Sequence, residues 1–396
     1  LPDCLIANIR YRLFYIWIDI HHREAMPAVT VNSSKSIVLV INSLQGAGAE
    51  RFVLTIGSAF AALGFDVHVL RFDAKVEFAL PDNLTYHLID YQGYRWLPKG
   101  QIRYRVFANT IDRYITKHIG APVLILSNLE RADHVLCYSR LSNIIHVIHS
   151  TLSLYYDLVN CAHRDKQIAK LKQVYSKHPC VCVSDGVKDD FVTLFGKTLS
   201  VTTIHNPIDQ VHIRHLAEAF VPDYKDYLIH VGSFKRAKRH DILINAYAKT
   251  SQNIPLLLAG QGKLEKDIKS LIVQLGLQDK VIMLGFCENA FPYVKHARCK
   301  ILTSDREGCP LVLSEALALD VPVISTDCQS GPREILDAHQ LMPVNNIEAI
   351  AAKMEQAMRS PEKFSGVFNN EVLPENIAKA YLRFATVPLP VSQAGV

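Results

Sequence analysis

From Ile37 the chain runs through a strand, a glycine-bearing loop, a helix and a second strand: "IVLVIN", "SLQGAG", "AERFVLTIGSAFAALG" and "FDVHVLRF". The strand segments are unbroken apolar runs, so both of their faces must be covered. Parallel strands joined by crossover helices provide that cover. Gly64 stands where such a helix would close. Similar segments follow: "PVLILSN" and "IIHVIHS" read as strands, and "PCVCVSDGVKDDFVTLFG" as a strand feeding a helix. The pattern breaks at "TTIHNPIDQ", where Asn206-Pro207 signals a turn. It then restarts with "YLIHVGSF", a basic loop "KRAKRH", a helix "DILINAYAKT", a strand "PLLLAG" and a helix "LEKDIKSLIVQLGL". "VIMLGF", a helix near "AFPYVKHA" and the strand "CKILTS" complete the second series. The expected fold is α/β: two doubly wound Rossmann-like domains facing a cleft, with ligands at the carboxyl ends of the strands. The expected boundaries are an amino-terminal extension over 1–30, domains over 31–208 and 209–374, and over 375–396 a terminal helix and tail that return to the first domain.

With 396 residues the chain is too long for one ordinary core, which agrees with two domains. The formal charge of +5 is mild. Its most visible excess lies in "RWLPKGQIRYRVFANTIDRYITK", where Arg95, Lys99, Arg103, Arg105, Arg113 and Lys117 are interleaved with aromatic residues and face only Asp112. Such a segment suits either a solvated helix face or a peripheral contact with an anionic membrane. Nothing in it suggests a nucleic-acid partner. Nine cysteines without a paired framework or zinc-ligand spacing point to a reducing, cytoplasmic setting. No run approaches the ~18 apolar residues of a membrane helix. Residues 1–30, aromatic and interrupted by Arg10 and Arg12, read as an extension that is either non-native or placed at a membrane surface.

The stretch "DREGCPLVLSEALALDVPVIST" carries the most chemistry. "DREGC" is a loop at a strand's carboxyl end, and Pro310 is expected in the first turn of the helix "PLVLSEALAL". The free amides of that turn would receive an anion such as a diphosphate. Glu307 then lies at the loop mouth, and Glu315 about one and a half turns into the helix. An ionised carboxylate only accepts hydrogen bonds, so a vicinal diol is its natural partner. A ligand with an anionic centre and a diol at each end is a nucleotide diphosphate sugar.

On these residues the chain resembles the retaining glycosyltransferases of family 4, which have the two-domain GT-B fold and include bacterial polysaccharide and lipopolysaccharide enzymes. The resemblance runs from about Ile37 to Leu382 and is densest in "EGCPLVLSEALALDVPVISTDCQSGPREIL". "GAGAER", "VSDGV", "HNPID", "HVGSFKRAKRHDILI" and "LLLAGQG" match in the same order. It implies an acceptor-binding first domain and a donor-binding second domain. Glu307 would meet the donor sugar, Lys238 would neutralise the diphosphate, and His149 would stand near the reacting sugar. Glu315 would grip the donor ribose, with Gly308, Cys309, Pro310, Leu311, Ser233, Arg236, Gly260 and Gly285 around the donor. Gly46, Ala47 and Gly48 would form a loop facing the leaving phosphate and the acceptor. The family pattern commonly has arginine where this chain has Ser233, and glycine where it has Asp320. No metal and no cofactor beyond the nucleotide sugar are expected. The implied partners are that donor and a glycan or lipid-linked acceptor, met in the cytoplasm or at the inner membrane face.

Competing readings are weaker. The third glycine of a dinucleotide fingerprint is replaced by Arg51. The two glutamates share one wall of the cleft, whereas the paired carboxylates of a glycosidase flank a bond from two sides. A nucleotide-sugar epimerase on the same fold, or a catalytically weak partner subunit, remain alternatives to a transferase that moves a hexose-type sugar with retention.

Overall fold

A computed structural model describes residues 35–45, 48–77, 79–197 and 199–386. The expected 1–30 extension, Gly46 and Ala47 lie outside the described residues.

The described residues form two all-parallel sheets. The first takes its strands from β1 (Ser36–Ile41), β2 (Asp66–Arg71), β3 (Thr85–Leu88), β4 (Leu124–Asn128), β5 (Ile144–Ile148), β6 (Cys180–Cys182) and β7 (Val201–Thr203), in the spatial order β3-β2-β1-β4-β5-β6-β7. The second is built from β8 (Leu228–Val231), β9 (Leu256–Ala259), β10 (Val281–Gly285), β11 (Cys299–Leu302), β12 (Val323–Thr326) and β13 (Leu341–Met342), in the order β10-β9-β8-β11-β12-β13. Strand order reverses beside β1 in one sheet and beside β8 in the other, so each lobe has a switch point where loops diverge and leave a crevice.

The helices that flank the crevice or close the fold are α1 (Gly48–Ala62), α2 (Gln101–His118), α3 (Asp185–Phe195), α4 (Leu311–Ala318) and α5 (Pro374–Thr386). β1 shows why these apolar runs need two layers. Ile37, Leu39 and Ile41 pack with Phe52, Val53 and Phe60 of α1, while Val38 and Val40 pack with Phe107, Ile111 and Ile115 of α2. Alternate side chains leave a strand on opposite faces, and both faces here are dry. Each such buried side chain contributes roughly 1.5–3 kcal/mol. In the second lobe Leu228 packs with Leu243 and Tyr247, whereas its neighbour Ile229 packs with Leu313 and Leu317 of α4.

The chain crosses between lobes twice at one place, where the amide of Ile208 donates to the carbonyl of Val372 at 2.9 Å. α5 then lies on α1, with Ile377, Ala378 and Tyr381 inside the first lobe's core and the Tyr381 and Phe52 rings 6.1 Å apart.

Three short edge elements escaped the sequence reading: β3, β7 and β13. The break placed at Thr202 begins inside β7, because a partly exposed three-residue strand carries no apolar run. Pro310 is the residue before α4 rather than part of its first turn, with φ −77° and ψ 83°. Arg103 departs from the expected basic surface. It is buried and donates to the carbonyls of Leu97 and Arg95, tying the preceding loop to α2.

Candidate active site

The loops after β8 and β11, the two strands at the second lobe's switch point, supply the central pair. Lys238 Nζ donates to Glu307 Oε1 at 2.6 Å, and Ser304 Oγ donates to the same oxygen at 2.5 Å. The loops are strapped together at their bases. Thr303 Oγ1 reaches the carbonyls of Lys238 and Arg239 at 3.2 and 3.3 Å, and the amide of Asp305 donates to Ala237 at 2.9 Å. Lys238 and Glu307 therefore face each other because their strands are neighbours, although 69 residues separate them.

Glu315, the fifth residue of α4, is 6% exposed and its carboxylate pairs with the guanidinium of Arg51 on α1. That guanidinium also lies 5.9 Å from the centroid of the Phe291 ring. This contact crosses from the first lobe to the second over the place expected to hold a ribose. In the sequence Arg51 closes the "GAGAER" match and spoils a dinucleotide fingerprint; its pairing needed the two lobes together.

Close backbone approach accounts for Gly260 and Gly308. A Cβ at Gly260 would stand 2.1 Å from the carbonyl oxygen of Gly232, and Gly260 also donates to the carbonyl of Gly285 at 2.7 Å. The ends of β8, β9 and β10 thus form a floor without side chains. Ser233 and the exposed Arg236 lie in the loop that follows β8. A Cβ at Gly308 would lie 2.1 Å from the carbonyl oxygen of His149. The donor-side loop is therefore pressed against the end of β5. Cys309 packs onto the first lobe's core, and Gly48 faces Leu311 with 3.6 Å between its would-be Cβ and Cδ1.

His149 has a defined tautomer. Asn128 Nδ2 donates to the carbonyls of Val40 and Leu126, which leaves Oδ1 as the acceptor for Nε2–H of His149 at 3.0 Å. Burial pushes the imidazole pKa down to about 4, so the ring is neutral at pH 7. His146, three residues earlier on β5, belongs to a separate buried network in which its Nδ1 lies 2.8 Å from Asp133 Oδ1.

Beneath α4, Lys300 on β11 is fully buried and its Nζ has no hydrogen-bond partner among the described residues. Burial lowers its pKa to about 7, and the neighbouring Glu315 charge opposes that shift. Asp320, which ends the turn after α4, adopts φ +59° and accepts a hydrogen bond from Arg214 at 2.7 Å. Aspartate tolerates this left-handed position better than most residues.

Two parallel α/β lobes, with a Lys238–Glu307 ion pair at the strand ends of the second, have the architecture of the GT-B glycosyltransferases. In line with this, the Anabaena HepE structure in complex with UDP and glucose superimposes with a TM-score of 0.66 at 17% identity, covering 88% of this chain and 94% of that one. Residues 46–239 match the family model described as Glycosyltransferase Family 4, and residues 214–370 match Glycosyl transferases group 1. Together the two matches run over residues 46–370 and support a GT4-type glycosyltransferase. A glycosyltransferase of Methanocaldococcus jannaschii is 34% identical over 157 residues, which span 38% of this chain and 39% of that protein. The Campylobacter jejuni N-acetylgalactosamine-N,N'-diacetylbacillosaminyl-diphospho-undecaprenol 4-alpha-N-acetylgalactosaminyltransferase is 24% identical over 352 residues, 87% of this chain and 94% of that enzyme.

Proposed function

We propose that this glycosyltransferase moves a hexose-type sugar from a nucleoside diphosphate sugar to a glycan or lipid-linked glycan, with retention at the anomeric carbon. The observation that carries the reading is the convergence of Lys238, Glu307 and Glu315 on one switch point, opposite His149 and Gly48 of the first lobe. Glu315 accepts the ribose hydroxyls once Arg51 yields them room. Lys238 stabilises the charge that grows on the diphosphate as the glycosidic bond breaks, and Glu307 orients the sugar. With the exposed Lys235 and Arg236 alongside, these cations supply positive charge at the leaving group, so the reading assigns no metal. His149, neutral and held by Asn128, offers hydrogen bonding near the reacting carbon without a competing charge. No carboxylate from the first lobe stands among these candidate residues as a nucleophile, which favours attack from the face the phosphate leaves, driven by positioning.

Two likenesses support the substrate class. The Campylobacter relative acts on a diphospho-undecaprenol-linked acceptor, and the Anabaena protein was solved with UDP and glucose. No described helix is long and apolar enough to cross a membrane, so a lipid-linked acceptor would be met from the surface. Arg95, Lys99, Arg105, Arg113 and Lys117 with Trp96, Ile102 and Val106, all exposed on or before α2, form the surface for that contact at the cytoplasmic membrane face.

The test is calorimetric titration of UDP, GDP and ADP, without metal, into the wild-type chain and Glu315→Ala. One nucleotide is expected to bind, and the substitution to weaken it by roughly 2 kcal/mol. Binding of none of the three, or equal binding by both proteins, overturns the reading.

A further inference from the structure

Four hydrogen-bond donors converge on the carboxylate of Glu334, which lies in the short helix Pro332–Ile335 of the second lobe. The amides of Asp185 and Gly186 donate to it at 2.7 and 3.0 Å, and both belong to the first turn of α3 in the first lobe. The amide of Gly331 approaches at 3.4 Å. His205 Nε2, on the segment that joins the lobes, stands 3.3 Å away. A carboxylate at a helix N-terminus is favoured by the free amides there and by the helix dipole. The helix and the carboxylate here come from opposite sides of the cleft.

The surroundings connect this contact to Glu307. Ser184 caps α3 by accepting from the amide of Val187 at 3.2 Å, and its hydroxyl donates to the carbonyl of Gly308 at 2.7 Å. Ser330 Oγ donates to the carbonyl of Glu307, also at 2.7 Å. A Cβ at Gly186 would stand 2.2 Å from Ser330 Cβ, so α3 and the Ser330 loop touch backbone to side chain. The Glu307–Gly308 backbone is thus held from the first lobe by Ser184 and from the second by Ser330. Both holders adjoin residues that Glu334 fixes.

We propose that Glu334, bridged to His205, is a positioning residue that clasps the two lobes and thereby sets the place of the Glu307–Gly308 backbone. The charged groups facing His205 are Glu334, Asp185 and Glu371, all acidic, and Asp185 is itself held by Thr203 Oγ1 at 2.6 Å. The hydrogen bond to Glu334 raises the His205 pKa against the opposing effect of burial. Burial would raise the pKa of Glu334, but the His205 bond and the amides of Gly186, Asp185 and Gly331 outweigh it and hold the carboxyl below its usual range. Asp185, His205 and Glu334 bring ligand-type atoms within 4.8 Å of one another. Because amides already occupy the Glu334 oxygens, the cation that bridges the group is the His205 proton. A raised histidine pKa means that the contribution is complete below the unfolded value of about 6.5 and is lost as pH climbs through the folded value above it.

Hydrogen exchange measured by mass spectrometry on the full chain tests this without any nucleotide, so failure of the donor reading would leave the result intact. Protection factors, corrected for intrinsic rates, are compared at roughly pH 6 and pH 8.5 for residues 184–190 and 303–312. The wild type is expected to lose protection in both segments at the higher pH. Glu334→Gln is expected to lose it about tenfold or more already at the lower pH, with β8 and β11 unaffected and Glu334→Asp recovering part. His205→Gln is expected to abolish the pH dependence. The clasp is overturned if Glu334→Gln leaves the 303–312 segment unchanged, if the wild type shows no pH dependence, or if His205→Gln retains it. Should Glu334→Gln unfold the chain, the His205→Gln comparison still decides.

Discussion

Lys238 and Glu307 meet at 2.6 Å, and each was singled out in the sequence for a different task, one for the diphosphate and one for the sugar. They pair with each other, and Ser304 also donates to Glu307. Glu307→Gln removes an acceptor for sugar hydroxyls and is expected to lower turnover about a hundredfold with little change in nucleotide affinity, read with the nucleotide sugar that calorimetry identifies. Lys300 makes a different kind of prediction. Its folded pKa of about 7 lies below the ordinary 10.5, so between those values the folded chain binds fewer protons than the unfolded one. Stability from this residue therefore rises with pH across that window. Lys300→Met should flatten the rise and raise stability at pH 7, as urea unfolding at pH 7 and pH 9 would show. An unaltered pH slope would mean that the amine is not paying a burial cost there.

At the scale of elements, α4 and α5 contrast in how they could be read. α4 stood out because an apolar run with one glutamate follows a glycine-proline corner. What the run did not disclose is that Gly308 would collide with the His149 carbonyl if it carried a side chain. Gly308→Ala is expected to abolish activity while both lobe cores persist, since backbone cannot yield as a flexible side chain can; circular dichroism beside an activity assay separates the two effects. α5 is a periodic helix with its apolar stripe on Ile377, Ala378 and Tyr381. Tyr381 is fully buried against the first lobe's core, and its hydroxyl has no partner among the described residues. Tyr381→Ala should cost about 3–5 kcal/mol, by analogy with large aromatic truncations. Tyr381→Phe should be neutral or stabilising, and a loss of more than about 1 kcal/mol would reveal a hydrogen bond to the hydroxyl.

At the scale of the whole molecule, two sheets of the same winding meet across a cleft closed by contacts from several places: Arg51 with Glu315, Ser184 with Gly308, and Glu334 with the start of α3. The exposed basic surface of α2 and of the loop before it lies on the first lobe, and under the proposed membrane contact it is the part that would face anionic lipid. Vesicles containing anionic lipid should retain the full chain at low salt and release it at high salt. Replacing Lys99, Arg105 and Arg113 together by glutamate should abolish retention. Retention that ignores both changes would sink the membrane proposal.

The amino-acid sequence specifies the doubly wound class, every described strand except β3, β7 and β13, and the stretch carrying Glu307 and Glu315. These rest on local signals: continuous apolar runs, helix periodicity, and a glycine-proline corner between a strand and a helix. The short strands β3, β7 and β13 were not legible, because two to four residues at a sheet edge bury too little to force an apolar pattern. Arg51 and Glu334 were in view within "GAGAER" and "GPREIL", yet neither had a role until the lobes came together. Only the tertiary structure could decide that Arg51 faces Glu315 across 264 positions of chain, or that Glu334 caps a helix 148 residues away. Propensity and burial act within a few residues and leave their mark on sequence. A charge pair between lobes depends on where two independently folded sheets place their loop ends, and that relation has no period for a sequence to carry.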